Sequence, residues 1–137
     1  RPAHRSHHPP EPAPDRRRGN RLKESAMLLD DLARDTCRHL SGPQHRLDDA
    51  TVAMLLPLLP GWSREDGHIA KTFHFTGYEA AMLFANGVAW LAQRQNHHPE
   101  LQVNYNTVRV TYGTHDVGGL SRNDFICAAK IEALAAL

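Results

Sequence analysis

The stretch from Thr76 to about Asn96 constrains this chain more than any other. Its polar residues Glu79, Asn86 and Gln93 recur every seven positions and so form one narrow line on a helix. Most of the rest is apolar: Ala80, Ala81, Met82, Leu83, Phe84, Ala85, Val88, Ala89, Trp90, Leu91 and Ala92. A helix that is apolar over most of its circumference has to be covered on more than one side. Thr76-Gly77-Tyr78-Glu79 reads as a T-x-x-E capping box for its start, and His97-His98-Pro99-Glu100 as its break. The chain has 137 residues, which suits one domain. In a domain of that size, one cover is expected to be a sheet and the other a partner subunit, with Ala85 on the outward face.

The flanking segments supply the sheet. Trp62–Glu65, the dipeptide Asp66-Gly67 and His68–Phe75 read as a β-hairpin, because Asp-Gly favours a two-residue turn. Ile69, Phe73 and Phe75 share one face, which Lys71 interrupts. Beyond the helix, strands are expected at about Gln102–Tyr105 and Thr107–Thr114. In the second, Val108, Val110 and Tyr112 alternate with Thr107, Arg109 and Thr111, the period of a half-buried strand. Gly118-Gly119 marks a turn, and Ser121-Arg122-Asn123-Asp124 opens a last helix to about Ala135. Upstream, Asp48 caps a short helix to about Leu59, which Pro57 shortens and Pro60-Gly61 ends. The order αββαββα predicts an α+β fold: a four-stranded antiparallel sheet with helices packed on one face.

That domain spans residues 45–137. Ahead of it, residues 1–21 are rich in proline and arginine and nearly devoid of apolar side chains, the composition of a disordered tail. Residues 22–44 read as an appended helix and linker. Leu22, Ala26, Leu29, Ala33, Cys37 and Leu40 recur at steps of three and four, and Ser41-Gly42-Pro43 is a stop. Charge follows the same division. Residues 1–23 hold seven of the 16 Lys and Arg and two of the 15 Asp and Glu, leaving nine and thirteen in residues 24–137. So mildly acidic a body is not expected to bind nucleic acid directly. Two cysteines, Cys37 and Cys127, are too few for a disulfide framework or a structural zinc site, which fits a cytoplasmic protein. No run of eighteen apolar residues predicts a membrane span, and no apolar leader core is evident.

Ten histidines are many for this length. His97 and His98 follow the long helix and His115 follows the last strand, positions where loops on rigid elements carry function. Imidazole titrates near ~6.5 and can give and take protons at neutral pH. Converging imidazoles without a Ser or Cys nucleophile point to acid–base chemistry. Two other readings stand beside it. His97-His98-Pro99 can be an ordinary helix C-terminal cap. His97, His98, His115 and Asp116 can be metal ligands, though no HExxH or paired-Cys spacing supports that. Trp62 reads as a core aromatic, and Cys127 as buried packing.

From about His45 onward the chain resembles the pterin-4a-carbinolamine dehydratases. The resemblance lies in Pro60-Gly61-Trp62, Lys71-Thr72-Phe73-His74-Phe75, Asn96-His97-His98-Pro99-Glu100, Tyr105-Asn106, Thr114-His115-Asp116, Gly118-Gly119-Leu120-Ser121 and Asp124. It implies dehydration of 4a-hydroxytetrahydrobiopterin to quinonoid dihydrobiopterin, recycling the pterin used by aromatic amino acid hydroxylases, with no cofactor and no metal. It implies His97, His98 and His115 as catalytic groups, His97 and His115 flanking C4a and His98 mainly binding. It also implies Asn96, His97, His98, Gly113, Thr114, His115 and Asp116 as the pterin-binding edge, with Trp62 closing the pocket. Relatives form homotetramers. Some also act as dimerisation partners of a transcription factor, so a non-catalytic, coactivator-like binding module is the alternative. Where the family usually carries an acidic residue four positions before the first histidine, this chain has Gln93. Its i,i+4 spacing is expected to place it beside His97.

Overall fold

The computed structural model describes residues 8–137. The expectation of disorder for residues 1–7 lies outside the described residues. The chain builds four helices, α1 (Arg16–Arg34), α2 (Asp49–Leu55), α3 (Tyr78–Gln95) and α4 (Arg122–Ala135). Four strands, β1 (Ser63–Glu65), β2 (His68–His74), β3 (Glu100–Val103) and β4 (Thr107–Tyr112), form one antiparallel sheet in the order β1-β2-β4-β3. This is the α+β architecture expected from the alternation of hairpins and helices.

Local chemistry accounts for the elements. Asp48 caps α2 by accepting from the Thr51 N–H at 2.8 Å. Pro57 then tightens the chain into a 3-10 turn at Leu56–Leu58. Asp66 turns the first hairpin with a left-handed backbone, φ 52°, which Asp tolerates better than most residues. The two hairpins meet along β2 and β4, in register from Ile69 opposite Tyr112 to His74 opposite Thr107. Ile69, Phe73, Val108, Val110 and Tyr112 share the buried face and pack on Ala81, Phe84 and Val88 of α3 and Phe125 and Ile131 of α4. Each such side chain contributes about 1.5–3 kcal/mol of apolar burial. The Lys71 interruption is resolved by partners on α4 and in the loop before β1. Its ammonium donates to Glu132 at 2.5 Å and to the Pro60 carbonyl at 2.7 Å, and its stem covers apolar surface.

Three expectations are corrected. The T-x-x-E box at Thr76–Glu79 does not form. α3 starts one residue later than the box requires, with Gly77 as its N-cap and no side-chain capping bond. Ala85 points inward, buried with Ala81, Phe84, Val88 and Ala92, while Tyr78, Leu83 and Trp90 face outward, more than half exposed. The appended helix runs Arg16–Arg34 rather than 22–40, so residues 16–21 are helical and, of the expected tail, the described residues 8–15 lack regular structure. Asp15 caps it early by accepting from the Arg17 N–H at 3.0 Å. At its other end, the Asp35 carboxylate takes the Thr36 N–H at 2.8 Å and the Arg122 guanidinium at 3.0 Å, and the chain leaves the helix. Leu32 is the buried anchor of α1, and Leu22 is exposed. Cys37 therefore sits on an extended strap, Asp35–Leu40, that lies along α4 rather than on a helix.

Candidate active site

Three element ends converge: the C-terminus of α3, the end of β4 and the N-terminus of α4. Asn96 ends α3 in the left-handed conformation, φ 50°. The chain turns there and carries His97 under the sheet. Its ring stacks on the buried Tyr112 of β4, with centroids 5.1 Å apart and planes 21° apart. Burial, more than any other cause, pushes the Tyr112 phenol well above its ordinary value. The phenol remains a donor and gives its O–H to the His97 carbonyl at 3.2 Å.

His97 Nε2 lies 2.6 Å from Asp124 Oδ1. Asp124 is fully buried and serves two purposes. Its Oδ2 accepts the Ser121 N–H at 2.9 Å, closing the capping box of α4, and the Thr114 hydroxyl at 2.8 Å. Thr114 and Ser121 hydroxyls also meet, 2.7 Å apart. The carboxylate sits in the first turn of α4, where the helix dipole favours negative charge. A carboxylate on Nε2 orients the ring and leaves Nδ1 as the nitrogen for exchange with a bound molecule.

A cavity of about 230 Å³ adjoins this pair. Of the expected site residues, Asn96, His97, Thr114 and Asp116 line it. Gly113 and His115 instead line a neighbouring cavity that shares Thr114. His115 is fully exposed, its Nδ1 3.7 Å from Asp116. A Cβ on Gly113 would fall 2.4 Å from the exposed His68 ring, which would have to swing aside, and 3.1 Å from the Gly67 carbonyl oxygen. His98 lines neither cavity. Trp62 is not at the site. It is buried in the core, edge-on to Phe73 at 6.2 Å, with its indole N–H given to Glu132 at 2.8 Å. A second correction concerns Gln93. Its amide oxygen is 3.2 Å from Nε2 of His98, not of His97. The left-handed turn at Asn96 takes His97 off the helical path and brings its neighbour to Gln93 instead.

The remaining wall of the cavity comes from the strap. Cys37, Arg38, His39 and Leu40 line it together with Asn123. Reading motif by motif missed these residues, because the strap is non-helical and far away in sequence. Asp124 was visible both as a capping residue and in the family spacing. Its bond to His97 was not. Among the described residues, no three His, Cys, Asp or Glu side chains converge as a metal set. No helix among them is long and apolar enough to cross a membrane.

An imidazole oriented by a buried carboxylate beside a small cleft is an arrangement able to carry out acid–base chemistry. Comparison with known proteins makes the class specific. The sequence model described as Pterin 4 alpha carbinolamine dehydratase matches residues 45–134, and the chain belongs to that family. It is 50% identical over 105 residues to a protein of Stenotrophomonas maltophilia (strain K279a) named "Putative pterin-4-alpha-carbinolamine dehydratase", covering 75% of this chain and 90% of that protein. It is 48% identical over 103 residues to one of the same name from Dechloromonas aromatica (strain RCB), covering 75% and 92%. Among solved structures, a "transcriptional coactivator/pterin dehydratase" from Brucella melitensis matches with TM-score 0.64 and 33% identity, over 66% of this chain and 98% of that one.

Proposed function

We propose that this chain removes water from a 4a-hydroxytetrahydropterin, 4a-hydroxytetrahydrobiopterin in the first instance, to give the quinonoid dihydropterin, and thereby serves an aromatic amino acid hydroxylase. The observation that carries this reading is the His97–Asp124 pair at the cleft. Loss of the 4a-hydroxyl needs a proton on the leaving oxygen and loss of the N5 proton. The pterin ring supplies the electron pair that expels the oxygen. Only proton carriers are therefore asked of the protein, and general acid–base groups contribute about 10²–10⁴ each. His97, held by Asp124, delivers or receives through Nδ1. His115, free to move at the neighbouring cavity, reaches the opposite side of C4a, and His98 binds and assists. Asn96, Thr114 and Asp116 contact the pterin in the cleft, and Gly113 lets the chain pass close to it.

We place the working protein in a homo-oligomer, most simply a tetramer, in the cytoplasm. Support comes from the outward Tyr78, Leu83 and Trp90 of α3, whose rings and aliphatic surface water would otherwise cover. The same face supports a second reading, a coactivator-like module that binds another protein without catalysis. A dehydration assay coupled to a phenylalanine hydroxylase decides between them. Faster turnover of the hydroxylase cycle with the wild-type chain, lost with His97→Ala plus His115→Ala, is the expected result. No acceleration over buffer would overturn the enzymatic reading.

A further inference from the structure

We propose that Cys37 and Cys127 form a redox site. A hydroperoxide oxidises Cys37, Cys127 closes an intrachain disulfide with it, and that bond fixes the strap Asp35–Leu40 as the wall of the His97 cleft. The part concerning the cleft rests on the reading given under Proposed function; the chemistry of the two thiols does not.

The sulfurs, 90 positions apart in sequence, are 3.5 Å from one another. Cys127 is fully buried on α4, whereas Cys37 is half-buried and lines the cleft, which gives a small oxidant a path to it. The strap is held by backbone as well as side chains. Asn123, itself buried, accepts the Arg38 N–H at 3.1 Å and donates to the Arg38 carbonyl at 2.6 Å. The Cys37 N–H gives a further bond to Gln95 Oε1 at 2.9 Å. These bonds present Cys37 to Cys127 before any covalent bond exists. The hydrogen bond from Cys127 holds the Cys37 thiol below its ordinary value, with nearby His97 and Lys130 adding to it. Its shared proton and then burial push Cys127 the other way. Access assigns the roles: Cys37, at the cleft, attacks, and the buried Cys127 resolves.

The steps balance. The Cys37 thiolate attacks one peroxide oxygen, the O–O bond breaks, and an alcohol or water leaves after protonation, giving the sulfenic acid. The Cys127 sulfur then attacks that sulfur, its proton goes to the departing hydroxyl, and water is released. Two thiols lose two electrons and the peroxide gains them. A disulfide needs the sulfurs at about 2.05 Å, so they must approach by about 1.5 Å. Cys127 is fixed in the packed interior of α4, so the strap makes the movement. It is drawn toward α4 and its wall of the cleft is moved with it.

The test uses the full chain, treated with hydrogen peroxide and then with dithiothreitol. The expected result is loss of both free thiols, a monomer-sized product whose peptide map joins Cys37 to Cys127, a higher Tm, and full reversal by dithiothreitol. Cys127→Ser should stop at a sulfenic acid on Cys37 that dimedone traps, and Cys37→Ser should leave Cys127 unreacted. Cys37→Ser, at a half-buried position, keeps the test decisive if Cys127→Ser fails to fold. Two persistent thiols, a disulfide between chains, or sulfinic acid on Cys37 without a disulfide would overturn the site. With pterin, kcat/KM should fall at least about threefold on oxidation and recover on reduction. If the disulfide forms but neither form turns over pterin, the dehydratase reading fails and the redox site stands. If reduced protein is active and oxidation leaves kcat/KM unchanged, the strap is not a wall of the working cleft and that part falls.

Discussion

His97 and His115 end neighbouring elements, yet their surroundings are opposite. The His97 side chain is 13% exposed, stacked on Tyr112 and tied through Nε2 to a carboxylate with no exposure at all. His115 stands free in solvent beside Asp116. One imidazole is placed by the core and the other by a surface turn. A change at the first is therefore felt by the fold and by any chemistry there. A change at the second is not expected to reach the fold.

The largest effect is expected from Asp124→Ala. It strips His97 of its partner, Thr114 of its acceptor and α4 of its capping box at once. Removing one member of a buried pair costs about 3–5 kcal/mol, which urea unfolding would register beside the loss of turnover. Asp124→Asn keeps the shape and isolates the loss of charge. Stability near that of wild type in Asp124→Ala would show that the network is not what orders this corner.

His97→Ala and His115→Ala should each lower kcat by about 10²–10⁴, but only His97→Ala should lower Tm as well. Equal Tm changes in calorimetry would erase the contrast, and unchanged turnover in the double variant would sink the mechanism.

A similar contrast runs around α3. Leu83→Glu, on the outward face, should dissociate the oligomer and leave a folded chain. Ala85→Glu, 6% exposed, should instead bury a charge and unfold it. Light scattering and circular dichroism on both variants separate the two. A wild-type chain that scatters as a monomer at micromolar concentration would remove the assembly altogether.

Gln93→Glu sharpens the comparison among the histidines. A carboxylate favours the imidazolium and raises its pKa. The nearer ring belongs to His98, so NMR should show the His98 titration moving to higher pH and that of His97 staying put. Movement of His97 instead would mean that the turn at Asn96 is drawn wrongly. In kcat/KM profiles, a limb that follows the shift identifies His98 as its source.

The smallest effect is expected at Asp35→Asn. The Thr36 N–H and then Arg122 hold the Asp35 carboxyl below its ordinary 3.8. Its contribution is thus complete above that pH and drains as pH falls through the lower folded value. The pair is solvent-screened and worth well under about 1 kcal/mol. Acid unfolding curves of the two proteins should differ above that range and merge below it.

Much of the fold was legible because its signals are short in range. The Asp66-Gly67 turn, the alternation from Thr107 to Tyr112 and the Ser121–Asp124 box each lie within a few residues and form as read. The Leu22–Leu40 periodicity misled for a related reason. Leu22 and Ala26 are exposed, and only Leu29, Ala33 and Cys37 of the stripe pack on the core, two from the helix and one from the strap that follows it. Helical spacing placed Gln93 beside His97 only as long as the helix was assumed to continue. A single left-handed residue, Asn96, changed the partner.

The site divides along the same line. The sequence by itself determined which groups are available: imidazoles at element ends, a capping carboxylate, two thiols. These follow from composition and local spacing, which act within a turn or a hairpin. Only the tertiary structure decided who meets whom. It set Asp124 against His97 across 27 positions and Cys37 against Cys127 across 90, and it sent Trp62 into the core. Those pairings come from packing α4 between the sheet and the strap. Burial there, not chain proximity, selects the partners, because a polar group taken out of water must find its hydrogen bonds wherever the fold supplies them.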